Sequence, residues 1–151
     1  MEYAAFEGYM REALSLARQA AAQGEVPVGA LVVGPDGVIL GRGRNRREEL
    51  PDATAHAEIE AIRAACRALG SWRLEGCTLF VTLEPCPMCT GAIIMSRIPC
   101  LVFGAREPQT GSVGSVIDLF QERYRHEPKV YAGILERECA ALLREFFEER
   151  R

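Results

Sequence analysis

A β-rich, apolar run, CTLFVTL at residues 77–83, passes directly into EPCPMC at 84–89, and this junction constrains the fold more than any other feature of the chain. A short segment that is apolar on both faces belongs at the centre of a sheet, where neighbouring layers cover it from either side. EPCPMC breaks the run sharply and opens a helix, which GAIIMSRI at 91–98 continues.

The surrounding pattern supplies the layers. Phe6, Met10, Ala13, Leu14 and Ala17 recur at helical spacing, with Gly24 as a stop signal. VGALVVG and VILGRG flank Pro35-Asp36-Gly37, which predicts an antiparallel hairpin. RNRREELPDAT follows as polar, irregular chain. A second helix is predicted over Ala55–Leu69, ended by Gly70, with Ile59, Ile62, Ala65, Cys66 and Leu69 as its apolar face. CLVFGA reads as another strand, REPQTGSVGSV as a loop and Val116 to Phe120 as a brief apolar turn. The last element is a helix over Leu135–Glu149 carrying Leu135, Cys139, Leu142, Leu143, Phe146 and Phe147. This order predicts an α/β fold, a mixed sheet covered by helices, built as one domain over residues 1–151.

Six cysteines are an even number, as disulfides require, but the N-terminal segment has no basic start leading into a continuous apolar run. No stretch reaches the roughly 20 apolar residues of a membrane span. The expected setting is therefore the cytoplasm, with reduced thiols, where close cysteine pairs more often bind metal than form disulfides. Cys66, Cys77, Cys100 and Cys139 fall inside apolar patterns and read as inert buried thiols. A formal net charge of -3 excludes a strongly basic chain, so any polyanion-binding surface must be local, as at Arg42, Arg44, Arg46 and Arg47 or at Arg150 and Arg151.

The residues with chemistry stand in two short motifs at helix starts, His56-Ala57-Glu58 and Pro85-Cys86-Pro87-Met88-Cys89. His56, Cys86 and Cys89 supply three ligands, the number of a catalytic zinc site that keeps its fourth position for water; a structural site would need a fourth. His126 is the only other histidine and joins no motif. One zinc per chain is expected, lowering the pKa of a water, with the unligated Glu58 moving protons in hydrolysis of an amidine-like carbon. The spacing of His56 and Glu58 is awkward, because residues two apart in an ideal helix point about 200° apart.

H-x-E with P-C-x-x-C resembles the zinc deaminases of the cytidine and deoxycytidylate deaminase superfamily, which act on nucleobases. More narrowly, the chain is similar to the bacterial tRNA adenosine deaminases over nearly its whole length. The similarity includes Glu25-Val26-Pro27-Val28-Gly29-Ala30, Asn45, Thr54 to Glu58, Thr82 to Cys86, Ser96-Arg97-Ile98, Val102 to Arg106, Glu138-Cys139-Ala140 and Phe146-Phe147. The resemblance implies a three-layer cytidine-deaminase-like fold with helices on both faces of the sheet, a homodimer, and a tRNA anticodon stem-loop whose wobble adenosine becomes inosine. It implies further that Asn45 hydrogen-bonds the target base, that Val28, Ala57 and Leu83 contact it, and that Glu107, Gln109 and Arg125 stand at RNA-contact positions.

Those last three depart from the family pattern. Glu107, Pro108 and Gln109 replace the usual Asp, variable residue and Lys, and Arg125 replaces the usual Asn before His126. A deaminase of a free nucleobase, guanine, cytosine or a related heterocycle, shares every catalytic residue, and the altered positions favour it; the C-terminal helix and arginines favour the tRNA enzyme. A zinc-stabilised binding module without catalysis is a third reading, which the free carboxylate of Glu58 opposes.

Overall fold

The computed structural model describes Met1–Arg151. Four helices, α1 (Phe6–Ala22), α2 (Ala57–Leu69), α3 (Pro87–Ser96) and α4 (Glu136–Glu148), pack on five strands: β1 (Gly29–Val33), β2 (Ile39–Arg44), β3 (Thr78–Leu83), β4 (Cys100–Ala105) and β5 (Lys129–Ala132). The sheet order is β2-β1-β3-β4-β5, with β3 at the centre. β1 runs antiparallel to both β2 and β3, while β3, β4 and β5 are parallel.

The expected central strand alternates between two cores although both its faces are apolar. Leu79 and Val81 point into one with Ala57, Ala61 and Ile62 of α2 and Ile93 and Ile94 of α3. Phe80 points into the other with Phe6, Met10, Ala13 and Leu14 of α1 and Cys139 of α4. Two helices therefore cover each face, the three-layer α/β arrangement expected from the sequence. No helix is long and apolar enough to cross a membrane.

Three features differ from the sequence reading. β5 was not expected: it is only four residues long, mostly exposed at the sheet edge, and carries no repeating apolar pattern. α4 begins one residue later than predicted, because Leu135 precedes it in the left-handed conformation at φ 54°. The buried face of α2 is Ala57, Glu58, Ala61, Ile62 and Ala65, whereas Leu69 is 46% exposed and Ile59 and Cys66 are only partly covered.

The cause of the α2 shift lies in β2. A Cβ on Gly41 would meet the Ala61 carbonyl and Ala65 amide, and one on Gly43 the Ala57 carbonyl and Ala61 amide. The helix backbone thus rests directly on the strand, and only small residues fit between them. Gly41→Ala cannot be relieved by a side-chain rotation, so it is expected to destabilise the protein by about 3 kcal/mol, the upper end of overpacking costs. A denaturant-unfolding midpoint unchanged from the parent protein would refute this packing argument.

Candidate active site

The two motifs meet because each occupies the loop before a helix. β3 ends at Leu83, and Glu84 and Pro85 lead to Cys86, the N-cap of α3, with Pro87 in the first turn. Proline is tolerated there because its missing N–H would have had no intrahelical partner. His56 is the N-cap of α2. Its backbone is extended, at φ -78° and ψ 153°, so the helical phase starts only at Ala57. That resolves the awkward spacing: the 100° step per residue does not apply between His56 and Ala57, and Glu58 need not point away from its neighbour.

His56 Nδ1 lies 3.7 Å from Cys86 Sγ and 3.6 Å from Cys89 Sγ. All three donor atoms fall within 4.8 Å of one another. Tetrahedral coordination with Zn–S of about 2.3 Å and Zn–N of about 2.0–2.1 Å requires N···S separations of about 3.5–3.6 Å, so the donor set fits zinc by type and by spacing. Cys89 is fully buried, while His56 and Cys86 are half-buried. A hydrogen bond from Cys89, then one from His56, draws the Cys86 thiol down to about 4. The same contact with Cys86, together with burial, pushes the Cys89 thiol up, and His56 is raised chiefly by its hydrogen bond to Cys86. Metal binding at such a set displaces the protons that its thiols and imidazole carry.

Glu58 is buried beside this set, 4% exposed, within hydrogen-bonding reach of Cys89. Burial raises its carboxyl to about 7, outweighing the attraction of His56 and its place in the first turn of α2, where acidic groups are ordinarily favoured.

A cavity of about 280 Å³ opens over these residues, lined by His56, Ala57, Glu58 and Cys86 together with Val28, Asn45 and Leu83. Glu107 and Gln109 line its rim as well. Of the residues singled out in the sequence, Cys89 lies beneath the cavity as a buried donor, and Arg125, in left-handed backbone at φ 59° between the Leu119–Gln121 turn and β5, is not part of the lining. The lining also includes Arg47, which the sequence offered only as part of an arginine cluster, Val26, Glu84 and Phe147, which it offered only within longer matching stretches, and Thr110, which it did not single out. Phe147 belongs to the amphipathic pattern of α4, yet it is 50% exposed, the mark of a side chain outside the core.

Asn45 is 7% exposed and already engaged on both sides of its amide: Nδ2 donates to the Val26 carbonyl at 3.2 Å, and Oδ1 accepts from the Arg47 amide at 3.2 Å. One N–H and one lone pair remain for a ligand. Among the other thiols, Cys77 and Cys139 are buried and Cys66 and Cys100 half-buried, all four held above the usual thiol range by burial, and none is in a disulfide. His126 pairs with the Ile98 carbonyl at 2.7 Å, away from the donor set.

Residues 5–151 match the family model of the MafB19-like deaminases. The chain is 50% identical to a tRNA-specific adenosine deaminase of Bacillus subtilis (strain 168) over 146 residues, 96% of this chain and 90% of that protein. A solved structure from studies of A-to-I editing by tRNA:A34 deaminases at the wobble position superposes with a TM-score of 0.87 at 48% identity, covering 90% of this chain and 99% of the other. A guanine deaminase from Nitrosomonas europaea gives a TM-score of 0.78 at 30% identity over 93% of this chain and 83% of the other.

Proposed function

This chain belongs to the MafB19-like deaminase family, and from that premise we propose that it is a zinc-dependent hydrolase converting the wobble adenosine of a tRNA anticodon to inosine. The observation that carries the reaction class is the His56, Cys86 and Cys89 triangle beside a buried, unligated carboxyl at the base of a cavity. In this reading residues 1–151 form one deaminase domain, working in the cytoplasm as a homodimer.

His56 Nδ1 and the two thiolates hold one zinc ion, which, when bound, lowers the pKa of a water to about 7. Glu58 takes one proton from the attacking water and delivers it to the ring nitrogen as the C–O bond forms. It then takes the remaining proton of the added hydroxyl and passes it to the amine, so that the C–N bond breaks, ammonia leaves, a carbonyl remains and Glu58 is again a carboxylate. Burial favours the protonated form of this carboxyl, which lets Glu58 hold a proton between accepting and returning it. Asn45 offers its free N–H and lone pair to the edge of the purine, while Val28, Ala57 and Leu83 enclose its faces.

For the substrate, identity near 50% with tRNA enzymes, against 30% and 39% with two guanine deaminases, supports RNA over a free base. The rim agrees: Arg47 offers a cation to phosphate and Phe147 an exposed ring at the mouth. Because Glu107 and Gln109 bring no positive charge, RNA binding leans on Arg47, Arg125 and the terminal arginines. An anticodon stem-loop with a wobble adenosine is expected to react roughly 100-fold or more faster, in kcat/KM, than adenosine, guanine or cytosine, since backbone contacts supply binding energy that a free base lacks. The measurement is ammonia release from each at one salt concentration. A free base that wins would overturn the RNA assignment.

A further inference from the structure

Glu84 takes no part in the chemistry above, yet its carboxylate accepts four hydrogen bonds from one segment of chain. Oε1 accepts from the Glu107 amide at 3.1 Å and from the Ser115 hydroxyl. Oε2 accepts from the amides of Val113 at 3.0 Å and Ser115 at 3.1 Å. Arg106 places its guanidinium 3.9 Å away, over the ring of Phe103. The Glu84 side chain is 0% exposed.

The chain after β4 is folded around this carboxylate. Gly111 has no room for a Cβ, because the Glu84 carboxyl carbon and the Glu107 carbonyl stand where it would be. The amide of Ser112 donates to the Pro85 carbonyl at 2.9 Å, which ties the same segment to the residue before Cys86. Gln109 and Thr110, both on the cavity rim, lie between the anchored positions Glu107 and Val113.

We propose that Glu84 is a positioning residue for substrate: the buried carboxylate that fixes residues 107–115 as one wall of the cavity and thereby sets the preference for a nucleotide within RNA over a free nucleobase. The inference rests on the reading that this cavity takes the target adenosine. The zinc donors themselves stand at the helix starts of α2 and α3, and the Ser112–Pro85 hydrogen bond is the one link from the wall to the residue before Cys86.

A carboxylate is the side chain suited to this place, because its two oxygens offer about four lone-pair sites and no donor. Gln has the same shape but one oxygen. That oxygen must serve the Val113 and Ser115 amides, which can only donate, leaving the Gln amide group against the Ser115 hydroxyl, which can turn to accept, and the Glu107 amide, which cannot. Glu84→Gln therefore releases the rim at Glu107 first.

The test uses the zinc-loaded, full-length protein. Glu84→Gln is expected to keep full zinc content, while kcat/KM for the stem-loop falls about 10- to 100-fold, mainly through KM, and falls by clearly more than kcat/KM for free adenosine does. Amide hydrogen exchange over 107–115 is expected to accelerate, and Glu84→Asp, which restores the second oxygen, to recover part of the stem-loop rate. Ser115→Ala, which removes a single contact, gives the same stem-loop-specific change at smaller size and carries the test if Glu84→Gln does not fold. Unchanged exchange with parental stem-loop activity overturns the proposal while leaving the substrate reading intact. Parallel losses on stem-loop and adenosine, or loss of zinc, overturn it as well, since either means that Glu84 supports the metal region and not the wall. A parent protein that prefers a free base overturns the substrate reading and the specificity half of this one, whereas the exchange result stands apart from it.

Discussion

Cys86→Ala protein is expected to purify without zinc and without detectable deaminase activity. The three donors form a minimal set, and the cavity lining offers no other His or Cys to replace one. Outer-shell partners of metal ligands typically cost 10- to 100-fold in affinity when removed, so loss of a ligand itself should exceed about 100-fold. Simple unfolding is not the expected cause of the defect. Cys86 is the N-cap of α3 but makes no side-chain capping hydrogen bond, so alanine removes a donor without removing a cap. Metal analysis after dialysis, with circular dichroism on the same sample, separates the two effects. Cys66→Ala is the control: its thiol, 3.9 Å from the Trp72 carbonyl, lies outside the donor set and should leave zinc and activity unchanged. Stoichiometric zinc in Cys86→Ala protein would sink the ligand assignment.

Much of this site was legible in the residues because ligand types are few and their spacing local. The apolar run at 77–83 announced the central strand, and Gly70 and Gly24 closed helices close to where the structure closes them. What the sequence could not carry was phase at helix starts. Treating His56 as helical turned Glu58 away from the metal, whereas the extended N-cap backbone allows both to face one cavity. The face of α2 was misjudged for a related reason: periodicity weights large apolar residues, and the close approach over Gly41 and Gly43 selects small ones. Thr110 has no distinguishing local pattern, and nothing separates Arg47 from the other arginines of its cluster, since only the fold brings these two loops to the same rim. Glu84 sits inside a run recognised for its cysteines, and nothing local reveals that its partners are 23 to 31 residues away.

Glu58 poses the opposite problem, a residue whose removal should spare the metal and nearly abolish turnover. As the buried carboxyl beside the donors it could serve as a fourth ligand or as a proton carrier, and two substitutions distinguish these roles. Glu58→Gln keeps the volume and the polar contact but cannot exchange a proton, whereas Glu58→Ala removes both. If the carboxyl carries protons, both variants retain zinc through His56, Cys86 and Cys89, and both lose about 10²- to 10⁴-fold in the chemical step. The loss should lie toward the upper limit, because one group serves the water, the ring nitrogen and the departing amine in turn. Single-turnover measurement on the stem-loop isolates that step from product release, and stem-loop binding should stay near the parental value, since Asn45 and the rim are untouched. A carboxyl needed as ligand instead predicts zinc loss in Glu58→Ala. Near-parental single-turnover rates in Glu58→Gln would exclude proton transfer by this residue, and the shuttle would then have to be sought elsewhere in the cavity, where Glu107 is the remaining carboxylate that is not fully buried.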